Sequence, residues 1–199
     1  MQDAREHILA TALQLFSHNS YREVTMSGLV KASGLSKGAF YHYFASKEQL
    51  FEAVIEHFYS GQMRVDYSRY SHESLYAFYG DHLRRIVERL NQHLGEAVEE
   101  GTLRASHFLL LLDALKRLPA FQALHEQRQA LELAEWTAVV QQARARGEIR
   151  TGLPDTQVAK LFIFLGDGIA INYMLQHQTG ELQQEIKASF DALYQQLSA

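Results

Sequence analysis

Residues 25–47, TMSGLVKASGLSKGAFYHYFASK, limit the possible folds more than any other part of this chain. Thr25 is a good N-cap, because its hydroxyl can accept a hydrogen bond from a free amide of the next turn, and apolar residues then recur at helical spacing. Gly34 can adopt a positive φ at little cost and so ends this helix, after which Ser36 caps a second helix that runs to about Phe44. Two short helices joined by a glycine-containing turn predict a helix-turn-helix.

The second helix is predicted to have two distinct faces, because successive side chains rotate by about 100° around a helix axis. Ala39, Phe40 and Tyr43 fall on one arc and should face inward. The opposite arc carries small, cationic and hydrogen-bonding residues, namely Lys37, Gly38, Tyr41 and His42. Such a face suits the major groove of B-DNA, where residues of a recognition helix meet base edges and Lys or hydroxyl groups meet phosphates.

A third helix is predicted to begin at Lys47, since Ser46 and Gln49 have the spacing of a capping box. Its free amides and the Lys47 cation would then lie near the same surface. The predicted DNA-binding residues are Thr25, Ser27, Ser36, Lys37, Gly38, Tyr41, His42, Tyr43 and Lys47. Simpler roles stay open for some of them: the hydroxyls that begin the first helix can act only as caps, and Tyr43 can be packed inside with its hydroxyl at the surface.

These residues resemble the TetR family of bacterial transcriptional regulators. The resemblance covers residues 3–56 and consists of a leading helix with Ile8, Ala12, Leu13 and Phe16, then the pattern T-x-x-x-L-x-x-x-x-G-L-S-K-G-A-F-Y-x-Y-F-x-S-K-E-x-L. Beyond residue 56 it extends only to helical character and length. Tyr43 stands where the family often has His, and His42 comes one place earlier. The resemblance implies a DNA-binding homodimer with a small-molecule pocket between the fourth and eighth helices.

The charge of the chain restricts how it can bind DNA. The net charge is −4, and residues 1–62 contain five Lys or Arg against six Asp or Glu. DNA binding must therefore be local, with few phosphate contacts and a salt dependence shallower than that of a strongly basic protein. Two heads on a dimer would compensate, because the second contact becomes effectively intramolecular.

The remainder of the chain reads as helical throughout. Only two prolines occur, Pro119 and Pro154, and apolar residues repeat every three or four positions over long stretches. We predict an all-α fold of about nine helices: a three-helix helix-turn-helix domain at 1–46, then a helical ligand-binding and dimerisation domain at 47–199. The fourth helix, to about Tyr59, would couple the two domains. The four leucines at 109–112 predict a helix buried on most sides.

The last two helices are predicted to form a dimer interface, because together they carry more apolar surface than one small domain would hide. The interface residues would be Leu161, Leu165, Gly168, Ile169, Ile186, Phe190 and Leu193. Gly166 and Gly168 either weaken their helix by roughly 1 kcal/mol each relative to Ala or permit the close approach of another helix.

A ligand pocket in the second domain is the third predicted site. Its residues would be Tyr59, Tyr67, Tyr79, His82, Phe108, Leu112, His125 and Trp136, since small-molecule sites are mostly apolar with a few polar groups. The alternative for each of them is ordinary core packing.

The predicted function is a ligand-responsive transcriptional repressor that binds a palindromic operator as a homodimer. The chain has no cysteine, no signal segment and no apolar run of about 18 residues, so we expect a cytoplasmic protein without a membrane segment. No H-E-x-x-H, phosphate loop or G-x-S-x-G occurs, and neither an enzyme, a metal nor a cofactor is expected. Two alternatives remain: a small-molecule binding protein whose head does not contact DNA, and an enzyme that uses His82 or His125.

Overall fold

The computed structural model describes residues 2–57, 65–94, 105–176 and 181–198. Within these ranges the chain forms nine α-helices and a short 3-10 helix, Tyr67–Arg69, and its only β pairing is an isolated bridge between Ile149 and Ser198. The helices are α1 (Gln2–His18), α2 (Met26–Ser33), α3 (Lys37–Tyr43), α4 (Lys47–Ile55), α5 (Leu75–Leu94), α6 (Ala105–Arg117), α7 (Pro119–Ala145), α8 (Asp155–Leu175) and α9 (Leu182–Leu197). The predicted all-α fold is confirmed. No helix in these ranges is long and apolar enough to cross a membrane.

The contacts divide the chain into two compact units. The first contains α1 to α4, α6 and residues 119–125, and the second contains α5, the remainder of α7, α8 and α9. This grouping differs from the predicted boundary between residues 46 and 47, because α1 packs against both α4 and α6. A boundary drawn along the sequence could not place α6 with the head, since the chain leaves that unit and returns to it.

Aromatic side chains hold the first unit together. The Phe51 ring of α4 meets the Phe16 ring of α1 edge-on at 5.0 Å between centroids and the Tyr21 ring at 4.8 Å. Phe40 of α3 is fully buried. Burying aromatic rings of this size supplies much of the hydrophobic stabilisation of a small core.

Trp136 of α7 lies at the centre of the second unit and is fully buried. Its ring stacks on Phe162 of α8 at 5.5 Å between centroids, and Phe78 of α5 approaches it edge-on at 5.0 Å. Phe190 of α9 closes the cluster at 5.2 Å from Phe162. Four helices therefore share one aromatic core.

The prediction that the leucines at 109–112 belong to a helix buried on most sides is wrong. Leu110 of α6 is buried, but Leu112 is 45% exposed, because residues two apart lie on opposite sides of a helix and α6 buries one face.

The two glycines of α8 have different surroundings. A Cβ on Gly166 would lie 3.2 Å from the Phe190 ring, whereas a Cβ on Gly168 would meet nothing within 4 Å. Close approach by another helix is thus the reason for Gly166, and that helix is α9 of the same chain.

Candidate nucleic-acid interface

The helix-turn-helix is built from local caps. The Thr25 hydroxyl accepts from the Gly28 amide at 3.1 Å, and the Ser36 hydroxyl accepts from the Ala39 amide at 3.2 Å. Gly34 has φ 67° and its amide donates to the Lys31 carbonyl. Each predicted cap and the left-handed turn are confirmed, so the angle between α2 and α3 follows from side chains within the motif itself.

The outward face of α3 is open. Lys37, Gly38, Tyr41 and His42 are all exposed, and the Lys37 ammonium lies 5.8 Å from the centroid of the Tyr41 ring. Tyr43 is half-buried, with its ring edge-on to His42 at 5.3 Å. The face therefore presents a cation, a phenol and an imidazole around a glycine, which suits hydrogen bonding to base edges and phosphates.

One residue of the predicted inward arc lies elsewhere. Ala39 is exposed, while Phe40 is buried. The inward arc is narrower than predicted, because of the seven residues of α3 only Phe40 is buried and only Tyr43 is half-buried.

The start of α4 uses a modified capping box. The Ser46 hydroxyl accepts from the Gln49 amide at 3.1 Å, as predicted. The Gln49 side chain accepts in return from the amide of Ala45 at 2.8 Å, one residue before the cap. The interaction fixes the turn between α3 and α4.

Lys47 is engaged within the protein. Its ammonium donates to the Tyr21 carbonyl at 2.9 Å and to the Val24 carbonyl at 2.8 Å, and it lies 4.3 Å from the centroid of the Tyr21 ring. Both carbonyls belong to the segment just before the α2 helix. The cation thereby fastens the beginning of α2 to the beginning of α4.

Tyr21 joins three further charged groups. The Arg117 guanidinium lies 4.1 Å from the centroid of the Tyr21 ring. The Tyr21 amide donates a hydrogen bond to the Asp113 carboxylate at 3.2 Å, and the Tyr21 hydroxyl donates to the Glu48 carboxylate at 2.9 Å. Burial, followed by the hydrogen bond to the Glu48 carboxylate, raises the pKa of Tyr21 to about 12. We call Tyr21, Lys47, Glu48, Asp113 and Arg117 the Tyr21 cluster.

Sequence reasoning missed most of the Tyr21 cluster. Tyr21 and Asp113 are 92 residues apart, and their contact follows from the placement of α6 against α1. No short motif contains both residues. The only signal in the sequence was the pair of opposite charges at Asp113 and Arg117, which have helical i, i+4 spacing.

The predicted pocket residues are divided between the units. Tyr67, Tyr79, His82 and Trp136 are buried in the second unit, where the His82 and Trp136 rings are 5.1 Å apart. Tyr79 donates from its hydroxyl to Asp191 at 2.7 Å. Leu112 and His125 belong to the first unit, and Tyr59 and the Phe108 side chain lie outside the described residues.

The indole N–H of Trp136 is the notable polar group in that core. Its Nε1 atom is buried and makes no hydrogen bond in the part of the chain that the structure describes. A buried donor without a partner costs about 1–3 kcal/mol, so an acceptor from a ligand or a water would be stabilised there. The described residues contain no group of three or more His, Asp or Glu suited to a metal ion.

The predicted dimer residues of α8 and α9 are mostly half-buried. Leu161, Leu165, Ile169, Ile186 and Leu193 are partly buried, and Gly168 is exposed. Phe190 is 1% exposed and packs against Gly166 within the same chain. Three other large apolar side chains of α8, which were not among the predicted interface residues, are exposed: Phe164 at 62%, Ile171 at 37% and Leu175 at 71%.

An all-α chain whose helix-turn-helix presents an open polar face belongs to the class of helix-turn-helix DNA-binding proteins. Comparison with known proteins identifies the family. The family model described as bacterial regulatory proteins, tetR family, matches residues 8–54. The HTH-type transcriptional regulator YfiR of Bacillus subtilis is 30% identical over 173 residues, which cover 86% of this chain and 80% of that protein. The chain belongs to the TetR family and is a transcriptional regulator rather than an enzyme.

Two further similarities concern the same kind of protein. The HTH-type transcriptional repressor NemR of Escherichia coli is 35% identical over 101 residues, 51% of this chain and 48% of NemR. The solved structure of reduced E. coli NemR has a TM-score of 0.64 at 20% identity, covering 99% of this chain and 97% of that chain. The structural likeness shows that the fold is shared.

Proposed function

We propose that this regulator is a homodimeric, ligand-responsive repressor that binds a palindromic operator through one helix-turn-helix per subunit. The observation that carries the proposal is the exposed face of α3, with Lys37, Gly38, Tyr41 and His42 turned outward. Residues 1–46 would bind DNA, and residues 47–199 would bind the ligand and the second subunit. Repression is supported by the similarity to NemR, which is named a repressor. We place the protein in the cytoplasm.

On DNA, α3 lies in the major groove and the ends of the neighbouring helices meet the backbone. Lys37, Tyr41 and His42 reach base edges and phosphates, and Gly38 lets the α3 backbone approach closely. The hydroxyls of Thr25 and Ser27 lie 3.1 Å apart at the surface. This contact is a hydrogen bond in which one hydroxyl donates to the other, so only the accepting hydroxyl keeps a hydrogen that it can donate to a phosphate.

The other three predicted residues take supporting roles. Ser36 caps α3, so that the free amides at the start of this helix face the backbone of DNA. Tyr43, half-buried, holds α3 in place and offers its hydroxyl at the edge of the surface. Lys47 acts by positioning α2, since its ammonium is engaged with two carbonyls of the segment before that helix.

The dimer would form through α8 and α9. On α8, Phe164, Gly168, Ile171 and Leu175 are exposed and recur at spacings of four, three and four, which places them in one stripe along the helix. Exposed apolar stripes of this kind mark association surfaces. Pairing α8 and α9 with their copies buries the stripe in a four-helix interface, with Gly168 allowing close approach.

The ligand would bind in the second unit, near the aromatic core around Trp136 and His82. The buried indole N–H can donate to an acceptor on the ligand. A ligand that prefers one spacing of the two heads shifts the population of the dimer, and the shift changes operator affinity.

The test is selection of duplexes from a random pool, followed by binding of the selected duplex to Tyr41→Ala and Lys37→Ala variants. Each variant should weaken binding roughly tenfold or more, whereas Tyr76→Ala, which alters an exposed tyrosine of α5, should leave it within about twofold. Equal binding by all folded, dimeric variants would refute the α3 interface.

The second candidate is a small-molecule binding protein whose head does not contact DNA. It is favoured by the slight excess of acidic residues over basic ones in residues 1–62. The same selection separates the two functions, because only a DNA-binding regulator retains one duplex sequence in preference to the pool.

A further inference from the structure

The methyl group of Ala39 lies on the open surface of α3. Ala39 is exposed, although the helical arc predicted from the sequence places it inward with Phe40. Its amide donates to the Ser36 hydroxyl at 3.2 Å, so the cap of α3 fixes Ala39 in the first turn of the helix. The first turn is the part of a recognition helix that meets base edges. An apolar group that is not packed into the protein core therefore lies where bases would be read.

The surface around this methyl group is low, with longer polar side chains at its border. Gly38 comes directly before it, and a Cβ on Gly38 would meet nothing within 4 Å. His42 and Tyr43, three and four residues later, are the neighbours of the methyl group on the helix surface, and their rings are 5.3 Å apart. On the other side of Gly38, the Lys37 ammonium lies 5.8 Å from the centroid of the Tyr41 ring. A base edge can therefore approach α3 most closely at residues 38–39.

The base edges in the major groove differ in one apolar group. Adenine, guanine and cytosine present hydrogen-bond donors and acceptors there, whereas thymine also presents a C5-methyl group. The Ala39 side chain can neither donate nor accept a hydrogen bond, so the thymine methyl is the base feature that it can favour. Contact between the two methyl groups removes apolar surface from water, which stabilises the complex.

We propose that Ala39 determines one position of the operator by contacting the C5-methyl group of a thymine in each half-site. The inference rests on the proposed function, because it requires α3 in the major groove. A cytosine at that position lacks the methyl group, and a purine would place its N7 acceptor against an apolar side chain. In unmodified DNA the contact therefore selects thymine, while Lys37, Tyr41 and His42 supply the hydrogen bonds.

The test compares duplexes that differ only in this methyl group. The probe is the duplex that the parent retains from a random pool of unmodified DNA, with each thymine of the half-site replaced in turn by uracil, in both half-sites at once. Uracil pairs with adenine as thymine does but lacks the C5-methyl group. At one position the replacement should weaken binding of the parent roughly tenfold, because each lost methyl contact weakens it about threefold.

The Ala39→Gly variant shows whether Ala39 makes this contact. At the same position its affinities for the thymine and uracil duplexes should agree within about twofold. The ratio of two affinities measured on one variant cancels any effect of glycine on the stability of α3. Ala10→Gly is the matched control, because it removes the methyl group of an exposed alanine of α1, and it should keep the ratio of the parent.

The inference is overturned if no uracil replacement weakens binding of the parent, or if Ala39→Gly keeps the ratio of the parent at every position. Loss of the ratio in Ala10→Gly as well as in Ala39→Gly would also overturn it. A parent that binds its selected duplex but does not distinguish thymine from uracil leaves the proposed repressor function standing. A parent that retains no duplex from the pool refutes that function, and the role of Ala39 with it.

Discussion

The ammonium group of Lys47 lies 4.3 Å from the centroid of the Tyr21 ring and donates to the carbonyl of the same residue at 2.9 Å. Arg117 of α6 lies at 4.1 Å from that ring. One tyrosine before α2 therefore meets a cation from α4 and another from α6. Cation–π contacts of this kind contribute about 0.5–2 kcal/mol each, and here they join elements that the sequence separates widely.

Replacement of Tyr21 by Phe should change how stability depends on pH. At pH 7 the variant loses the hydrogen bond to Glu48 and about 1 kcal/mol of unfolding free energy. In the folded protein, burial and the Glu48 carboxylate raise the pKa of Tyr21 from its ordinary value of 10.0 to about 12. As the pH rises from about 10 to about 12, the tyrosine ionises first in the unfolded parent, so the parent loses stability of the order of 2 kcal/mol that the variant retains.

Urea unfolding of both proteins at several pH values from about 7 to about 12 measures this difference. The advantage of the parent should disappear as the pH approaches the raised pKa of Tyr21. If the difference in unfolding free energy between the parent and Tyr21→Phe stays constant from about pH 7 to about pH 12, the environment of the Tyr21 hydroxyl does not favour its neutral form.

Replacement of Lys47 by Met should distinguish positioning from phosphate binding. The variant leaves the carbonyls of Tyr21 and Val24 without their charged donor, so it should lose about 1.5–3 kcal/mol of stability and bind operator more weakly. Its plot of log K against log salt should keep the slope of the parent. Lys37→Met, at an exposed cation of α3, should instead reduce the slope by about 0.9, because one phosphate is no longer neutralised by the protein.

Equal slopes for the parent and Lys47→Met, with a smaller slope for Lys37→Met, support the assigned roles. If Lys47→Met reduces the slope as Lys37→Met does, then the Lys47 ammonium leaves its carbonyl partners and binds DNA.

The parts of the interface that the sequence could predict are those determined within a few residues. The caps at Thr25, Ser36 and Ser46 and the turn at Gly34 each depend on a hydrogen bond or dihedral angle inside one turn of chain, so their residue types reveal them. The Tyr21 cluster depends on the packing of α6 beside α1, which no local pattern specifies. The burial predicted for Leu112 was wrong for the same reason, because hydrophobicity does not tell which face of a helix meets a neighbour.

Replacement of Gly38 by Ala should raise stability and lower DNA affinity together. A Cβ at this position meets nothing within 4 Å, and Ala favours a helix over Gly by roughly 1 kcal/mol. The added methyl group stands on the α3 face that is proposed to enter the groove, so operator binding should weaken several-fold. Thermal unfolding and a binding titration measure the two effects.

Gly34→Ala is the matched control, since its Cβ also meets nothing within 4 Å but its φ is +67°. It should lose roughly 1 kcal/mol because an L-residue is strained in that conformation. If Gly38→Ala is stabilised and binds operator as tightly as the parent, the proposal that the α3 backbone approaches DNA closely is wrong.

Replacement of Phe164 or Leu175 by Glu should convert a dimer to a monomer. Both side chains are largely exposed in the single chain, so a charge there leaves the fold of the subunit intact, whereas in a paired interface it would be buried without a partner at a cost of several kcal/mol. Light scattering after gel filtration should give the mass of two chains for the parent and of one for each variant. Leu131→Glu, at a residue of α7 that is 50% exposed, should remain a dimer because it lies off the α8 stripe.

The monomeric variants should also bind a palindromic operator far more weakly than the parent, since the head has few cations and depends on its second copy for affinity. A dimeric Phe164→Glu would place the interface on another surface.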